Sequence, residues 1–286
     1  MSAPREKVSI IVPAYNEEAI IRPSLEEIVG IVDGPNIVCA DPLKEIVAEF
    51  EGMGVDYEVI VMSDGSRDQT IQKAVEVARL NPRIKVKRSL GNYGKGRALK
   101  RAFRYCSGDL IVFLDADLDL HPSLAQNLIN IMKWEKADVV IGSKFHPMSQ
   151  VEYSLQRKLI SFIYYSLIKL LFGLPLRDTQ TGLKVFKRRV LEEVFPRILV
   201  KKFAFDLEVL AVAHHLGFKI AEAPIVLRQR RRYGRIGTRA LWQTGWDTLA
   251  VFYRLNILRY YDKFPVRHRR ARSGDRAGQE QETGLR

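Results

Sequence analysis

Three aspartates at alternate positions, Asp115, Asp117 and Asp119, close the apolar run Leu110-Ile111-Val112-Phe113-Leu114. The run is β-branched and aromatic enough for a buried parallel strand. Carboxylates at the carboxyl end of such a strand stand where open α/β sheets bind ligands. Alternation puts the three on one side if the backbone stays extended. Hard oxygen ligands grouped in this way suit Mg2+ or Mn2+, ions that keep waters and bind substrate phosphates. An isolated D-x-D also fits solvated loop acids, with Asp119 capping a helix that Pro122 begins. Two more polar strand ends favour the ligand reading: Ser63-Asp64-Gly65-Ser66, and the turn Gly91-Asn92-Tyr93-Gly94-Lys95-Gly96. Lys95 stands near a helix start, where its charge and the free N–H groups can meet a phosphate. A cationic run, Arg228-Gln229-Arg230-Arg231-Arg232-Tyr233-Gly234-Arg235, follows strand-like sequence at 224–227 that would deliver it to the same edge.

The elements that must position these groups follow in chain order. Residues 8–12 form a strand stopped by Pro13, and Ala14-Tyr15-Asn16-Glu17 turns into a helix from about Glu18. An insertion around 30–42 and a short helix ending at Gly52 come next. Residues 57–62, 83–88 and 138–142 are further strands. Residues 69–80, with Asp68 as cap, residues 97–105 and a segment from Pro122 are helices. Strands alternating with helices at this spacing mean βαβ units and a mostly parallel sheet flanked by helices. Asp64, the Gly94-Lys95-Gly96 turn and the three aspartates then line one sheet edge, as in a nucleotide-binding α/β enzyme. No G-x-x-x-x-G-K-[ST] occurs and no G-x-G-x-x-G follows the first strand, which argues against P-loop NTPases and classical dehydrogenases.

With 286 residues, 47% of them hydrophobic, the chain can bury a sizeable core. A net charge of +13 calls for an anionic partner. No helix-turn-helix, zinc or RNP pattern appears, so that partner is not expected to be a nucleic acid. Cys39 and Cys106 lack metal-like spacing and fit a reducing cytosol. No signal peptide is expected, and the most apolar stretch, 159–174, is shorter than the ~20 residues of a membrane span and carries Lys169. Residues 153–174 and 241–261 read as aromatic, cationic amphipathic helices of the kind that lie in a membrane interface. Packing of both on the sheet is the alternative. From about Arg267 the tail reads as disordered, and its cations add attraction to anionic lipid of about 1 kcal/mol per charge. The expected setting is the cytosolic face of a membrane, peripherally bound or docked on a membrane-protein partner.

Val12-Pro13-Ala14-Tyr15-Asn16-Glu17, Ser63-Asp64-Gly65-Ser66 and Asp115-Ala116-Asp117 together resemble the donor motifs of inverting GT-A glycosyltransferases of family 2, over roughly residues 8–262. Asp178-Thr179-Gln180-Thr181-Gly182-Leu183-Lys184, followed by Phe203-Ala204-Phe205-Asp206-Leu207-Glu208, is similar to the polyprenyl-phosphate hexose synthases. It is closer to their dolichyl-phosphate glucose than to their mannose pattern. Gln243-Thr244-Gly245-Trp246 lacks the arginine of the Q-x-x-R-W motif of processive synthases. Three positions depart from the family pattern. Ser63 replaces an aspartate, Asp119 stands where several relatives have glutamine, and Lys144 replaces an arginine, keeping the charge but losing the bidentate fork.

The resemblance implies a GT-A fold, with residues 1–232 as the catalytic domain, 233–264 as an aromatic amphipathic helix and 265–286 as the tail. It implies a donor site framed by Pro13, Ala14, Tyr15, Glu17, Asp64, Lys95, Gly96 and Ala116. It further implies Mg2+ or Mn2+ held by Asp117 with Asp115 or Asp119, and places Asp178 and Gln180 at the donor hexose or the acceptor loop. Lys144, Arg157, Arg230 and Arg232 are the cations available to the diphosphate or the acceptor phosphate. The implied reaction is inverting transfer of a hexose from a UDP- or GDP-sugar, UDP-glucose favoured, to a polyprenyl (dolichyl) monophosphate. A family 2 transferase acting on a soluble saccharide or protein is the alternative.

Overall fold

A computed structural model of the chain describes residues 6–33, 56–151, 155–200, 204–227 and 238–264. Seven strands form one sheet: β1 (Lys7–Ala14), β2 (Asp56–Ser63), β3 (Ile84–Arg88), β4 (Leu110–Phe113), β5 (Val139–Ser143), β6 (Lys184–Lys187) and β7 (Ile220–Pro224). Their order across the sheet is β3-β2-β1-β4-β6-β5-β7. All neighbouring pairs are parallel except those of β6, which runs antiparallel to β4 and β5. The helices are α1 (Ile21–Asp33), α2 (Thr70–Leu80), α3 (Lys95–Ala102), α4 (Leu124–Trp134), α5 (Leu155–Phe172), α6 (Arg188–Val194), α7 (Phe205–His215) and α8 (Thr238–Phe252).

Side chains alternate across the central strands and feed a core on each face of the sheet. Val8, Ile10 and Val12 of β1 join α1, α2 and α4 on one face. Ile11, with Ile60, Phe113 and Phe186, joins α3 and α5–α8 on the other. Each such fully buried side chain contributes roughly 1.5–3 kcal/mol. Helix α7 is apolar nearly all round, as a helix buried on every side must be, and residues 205–213 are all buried. Its two acids are paired: Asp206 with Lys184 and Glu208 with Arg254.

The structure revises several expectations. β1 does not stop at Pro13 but runs to Ala14. Odd-numbered residues of β1 turn their backbone groups to the β4 side, where Lys7 O accepts Asp109 N and Ile11 O accepts Leu114 N. Pro13 therefore turns its missing donor to where the β1–β4 ladder has already ended. Helix α1 starts at Ile21 and continues through Gly30 to Asp33, so the insertion expected from residue 30 begins later. The rest of that insertion and the short helix ending at Gly52 lie outside the described residues. The helix expected at 97–105 is α3 followed by a 3-10 turn, Phe103–Tyr105. The one expected from Pro122 starts at Leu124. The strand expected at 224–227 ends at Pro224; beyond it Val226 and Leu227 make single bridges to Gln150 and Leu120.

The C-terminal helix is broken, not continuous to residue 261. α8 ends at Phe252, a π-helical turn covers Tyr253–Ile257, and a 3-10 turn covers Tyr260–Lys263 after left-handed Arg259. Glu208 fixes this break: its Oε1 accepts the Tyr261 hydroxyl at 2.5 Å and Arg254 Nη2 at 3.1 Å. Residues beyond 264, and Cys39, lie outside the described set. Cys106 is a buried free thiol. No described helix is long and apolar enough to cross a membrane.

Candidate functional site

Parallel register brings the carboxyl ends of β1, β2 and β4 together: Ala14 pairs with Ser63, and Ile11 with Phe113. Asp64 leaves β2 buried, its carboxylate accepting Tyr93 N at 3.1 Å and Gly94 N at 2.7 Å. These bonds to charge order the β3–α3 loop. Gly65 makes the nesting possible. Its φ is +75°, and a Cβ there would stand 2.4 Å from the Gly91 carbonyl carbon. On the opposite rim Asn16 Oδ1 accepts Arg67 N at 3.0 Å, and Glu17 N donates to Thr70 Oγ1 at 2.7 Å. The expected cap is shifted by one residue: α2 is preceded by Gln69 as its N-cap, without a side-chain cap bond, and Asp68, one position earlier, accepts Thr70 N at 3.1 Å.

Between these rims lies a cleft of about 740 Å³, partly open to solvent. Pro13, Ala14, Tyr15, Glu17, Asp64, Lys95 and Ala116 all line it, joined by Asn92 and Ala98, which the sequence reading did not single out. Gly96 is the exception. It is buried in the first turn of α3, where a Cβ would come within 2.3 Å of the Phe205 ring. Its lack of a side chain serves helix packing.

The aspartates do not continue the alternation of β4. The strand ends at Phe113, Leu118 N bonds back to Asp115 O at 3.2 Å, and Leu118 is left-handed at φ 49°. Asp119 N then donates to Asp117 Oδ1 at 3.3 Å. Among the described residues no three His, Cys, Asp or Glu side chains gather into a metal-holding group. The three aspartates instead line a second cleft of about 610 Å³, and Asp115 and Asp117 line both. Two carboxylates at such a junction fit a divalent ion that completes its shell with ligand phosphate oxygens and water.

Asp115 Oδ1 is 2.5 Å from Lys95 Nζ. Burial works to lower the Lys95 pKa, but attraction to Asp115, Asp206 and Asp117 overrides it and holds the ammonium above the ordinary lysine value. Burial likewise works to raise the Asp115 pKa. Lys95, backed by Lys184 and Lys144, overrides it and keeps the carboxyl below its usual range. Both groups are therefore charged at neutral pH.

The far wall of the second cleft is the loop entering β6. Buried Asp178 is its scaffold: Oδ1 accepts Gln180 N at 2.9 Å, while Oδ2 accepts the Thr181 hydroxyl at 2.6 Å and Lys144 N at 3.2 Å. Glu222 in turn accepts the N–H groups of Arg177 and Asp178. Gln180, Thr181, Gly182 and Lys144 face the cleft, and Lys144 Nζ lies 3.7 Å from Asp178. Gly182 crosses directly over Asp115. Beneath it Lys184, 1% exposed, bonds to the Thr181 carbonyl and to Asp206 at 2.7 Å. Thr181, Gly182, Lys184 and Asp206 carry no role from sequence alone. The available signal was Lys184 standing directly before Val185 and Phe186, because a lysine buried with them requires a carboxylate partner.

Of the remaining cations, Arg157 falls on the first turns of α5, whose side chains are outside the described set. Arg230 and Arg232 lie outside the described residues altogether. Leu227, which lines the second cleft, is the last residue described before them.

The C-terminal helix has two faces. Val251 and Leu255 are buried, whereas Trp242, Trp246, Leu249, Tyr253 and Ile257 repeat along an exposed stripe, with Trp242 81% and Trp246 74% exposed. Leu170 of α5 is also exposed, and Phe172 meets Phe252 edge to face at 6.1 Å. Each helix packs on the protein with one side and presents apolar surface outward with the other.

Residues 9–195 match the model of the family described as Glycosyl transferase family 2. The chain is 30% identical over 222 residues to a dolichyl-phosphate beta-glucosyltransferase of Trichomonas vaginalis, covering 76% of this chain and 64% of that protein. It is 30% identical to the glycosyltransferase AglD of Haloferax volcanii, covering 77% of this chain and 32% of that one. The chain thus spans less than two thirds of the length of both relatives. Among solved structures, glucosyl-3-phosphoglycerate synthase of Mycobacterium tuberculosis with uridine diphosphate aligns with a TM-score of 0.61 at 21% identity, over 87% of this chain and 79% of that one. A mannosyltransferase of Pyrobaculum calidifontis with GDP-Man and Mn2+ aligns with a TM-score of 0.55 at 19% identity, over 89% and 65%. At these identities the structural likeness bears on the fold, and it agrees with the expected architecture.

Proposed function

The chain belongs to glycosyl transferase family 2, and from that premise we propose that it transfers glucose from UDP-glucose to the phosphate of a polyprenyl (dolichyl) monophosphate at a membrane surface. The observation that carries this reading is the meeting of two clefts at Asp115 and Asp117. One cleft has the Asp64-ordered loop and the β1 turn to frame a nucleoside. The other has Lys144 and Gln180 to receive an anionic acceptor. The relative from Trichomonas vaginalis bears the name of a dolichyl-phosphate beta-glucosyltransferase, which supports both the lipid phosphate and inversion on an α-linked donor.

In this mechanism the nucleoside lies among Pro13, Ala14, Tyr15, Glu17 and Asp64, and the diphosphate reaches Lys95 and the start of α3, where charge and free N–H groups favour it. Asp117, with Asp115, would hold Mg2+ or Mn2+; a bound ion supplies Lewis-acid stabilisation of charge on the departing diphosphate. An acceptor phosphate oxygen forms a bond to the anomeric carbon opposite the nucleotide. The bond from that carbon to the diphosphate oxygen breaks, and its electron pair leaves with the nucleoside diphosphate. A phosphate monoester is largely ionised near neutral pH, so no general base is needed to activate it. The residues act by positioning and electrostatics: Lys144, with Arg157, Arg230 and Arg232 as further cations, meets the acceptor phosphate, and Asp178 sets the loop that carries Gln180.

The exposed stripe of α8 and the outer side of α5 would seat in the lipid interface, bringing the acceptor headgroup to the second cleft. The test is transfer of radiolabelled hexose from UDP-glucose or GDP-mannose to prenyl phosphate, with Mg2+, with Mn2+ and with EDTA. EDTA-sensitive label in the organic phase from UDP-glucose is expected. Nucleotide release with no lipid label would move the reading to a soluble acceptor.

A further inference from the structure

The Tyr164 hydroxyl lies between the second cleft and the helices that expose apolar surface. Gln180 Nε2 donates to it at 3.3 Å, and Thr248 Oγ1 of α8 is 3.5 Å away. Thr248 is fully buried, donates to Thr244 O at 2.8 Å, and sits on the side of α8 turned from Trp242 and Trp246. On α5, Tyr164, Ile168 and Phe172 recur every fourth residue and face inward, while Leu167 and Leu170 are exposed. Ile168 and Val251 share one core, and the Phe172–Phe252 contact clasps the two helices. A force on the outer side of this pair therefore reaches Gln180 through one hydroxyl.

We propose that Tyr164 is a positioning residue: seating the α5–α8 pair on a lipid surface sets Gln180 in the second cleft through the Tyr164 hydroxyl. This rests on the membrane-surface reading given above and deepens it. Seating and the ordered position of Gln180 favour the same helix placement, so each stabilises the other by linkage. When the pair is loose, the half-buried hydroxyl and the amide lose their bond and Gln180 is free to turn. The enzyme would then work on an acceptor held in a surface faster than on one dispersed in water.

The test compares the wild-type chain with Tyr164→Phe, which removes only the hydroxyl, and with Thr248→Val. Hydrogen exchange over residues 179–183 is followed before and after adding phosphatidylcholine–phosphatidylglycerol vesicles. Exchange in the wild type slows on vesicle binding; Tyr164→Phe binds the vesicles equally but loses that slowing. Its kcat on vesicle-borne prenyl phosphate falls about fivefold with KM for the sugar nucleotide unchanged, and adding Gln180→Ala to it lowers kcat no further than Gln180→Ala alone. Thr248→Val shifts both readouts the same way, by less. Losses that multiply in the double variant, or a Tyr164→Phe protein whose exchange still responds to vesicles, overturn the proposal. A wild type that transfers no hexose to prenyl phosphate, yet shows vesicle-dependent exchange that Tyr164→Phe abolishes, refutes the acceptor reading and supports this coupling.

Discussion

Gly182→Ala probes how tightly the loop before β6 holds the carboxylate at the junction of the clefts. An added Cβ would stand 2.1 Å from Oδ2 of Asp115 and 2.6 Å from its Cγ, against a working limit near 3.0 Å. The carboxyl must therefore shift by about 1 Å, the difference between those distances. The 2.5 Å contact with Lys95 is lost or rebuilt elsewhere. Misplacement of about 1 Å at a reacting centre costs on the order of 10²-fold in rate. Asp115 has a side chain 38% exposed, so it can swing into the cleft without opening the core. The stability loss should stay near ~1 kcal/mol, which moves Tm by about 2–4 °C in a chain of this size. The assay is kcat for hexose transfer at saturating donor and acceptor, alongside a thermal melt. A variant with wild-type kcat would refute the reasoning, because Asp115 would then tolerate displacement. A variant that fails to fold would refute it too, because the contact would then be structural.

Glu58 is buried, with Lys85 Nζ at 2.6 Å, Ser9 Oγ at 2.7 Å and both Ser107 N and Oγ donating to it. Burial works to raise its pKa, but these donors lower it from 4.5 to about 2. The folded value lies below the unfolded one, so its contribution of roughly 3 kcal/mol is present above about pH 4.5 and is lost as pH falls toward 2. Urea titrations of Glu58→Gln should show a lower midpoint at pH 7 and a shallower decline on acidification; parallel wild-type and variant curves would contradict this. Trp242→Ser with Trp246→Ser should weaken vesicle binding by at least about a hundredfold, at roughly 1.5–3 kcal/mol for each large side chain removed from lipid, and unchanged co-sedimentation would remove the membrane role from α8. Burial pushes the Cys106 thiol up to about 12, so it should resist maleimide at pH 8 until the chain is denatured; rapid labelling of Cys106 in the folded protein, located by peptide mapping, would show that the core opens there.

The cleft proposed for the donor was legible because its signals are local. Asp64 and Asp115 each follow a β-branched run, and parallel register brings them together. The second cleft, proposed for the acceptor, was not, because long-range pairing governs it. β6 is four residues long and opens with a lysine whose buried charge is paired with Asp206, 22 residues on. Asp178 sits in a motif read as touching the hexose or ordering the acceptor loop; its carboxylate accepts Gln180 N, the Thr181 hydroxyl and Lys144 N, the last a long-range bond that the motif does not announce. Nothing in the local sequence marks Leu118 as left-handed, so the alternation that would have aligned Asp119 with Asp115 fails. The break after α8 is also tertiary in origin, drawn by Glu208 through Arg254 and Tyr261. Gly96, expected in the donor site, also has a packing reason that the local sequence does not show: a Cβ there would meet the Phe205 ring.

One competition decides which acceptor takes the glucose. The full chain is given radiolabelled UDP-glucose and Mn2+ with prenyl phosphate in vesicles and phosphoglyceric acid in solution together, and the label is partitioned between organic and aqueous phases. Label is expected in the organic phase as an acid-labile glycosyl phosphate, lost on adding EDTA. Label carried by phosphoglyceric acid, or glucose freed into water with the lipid untouched, would contradict it.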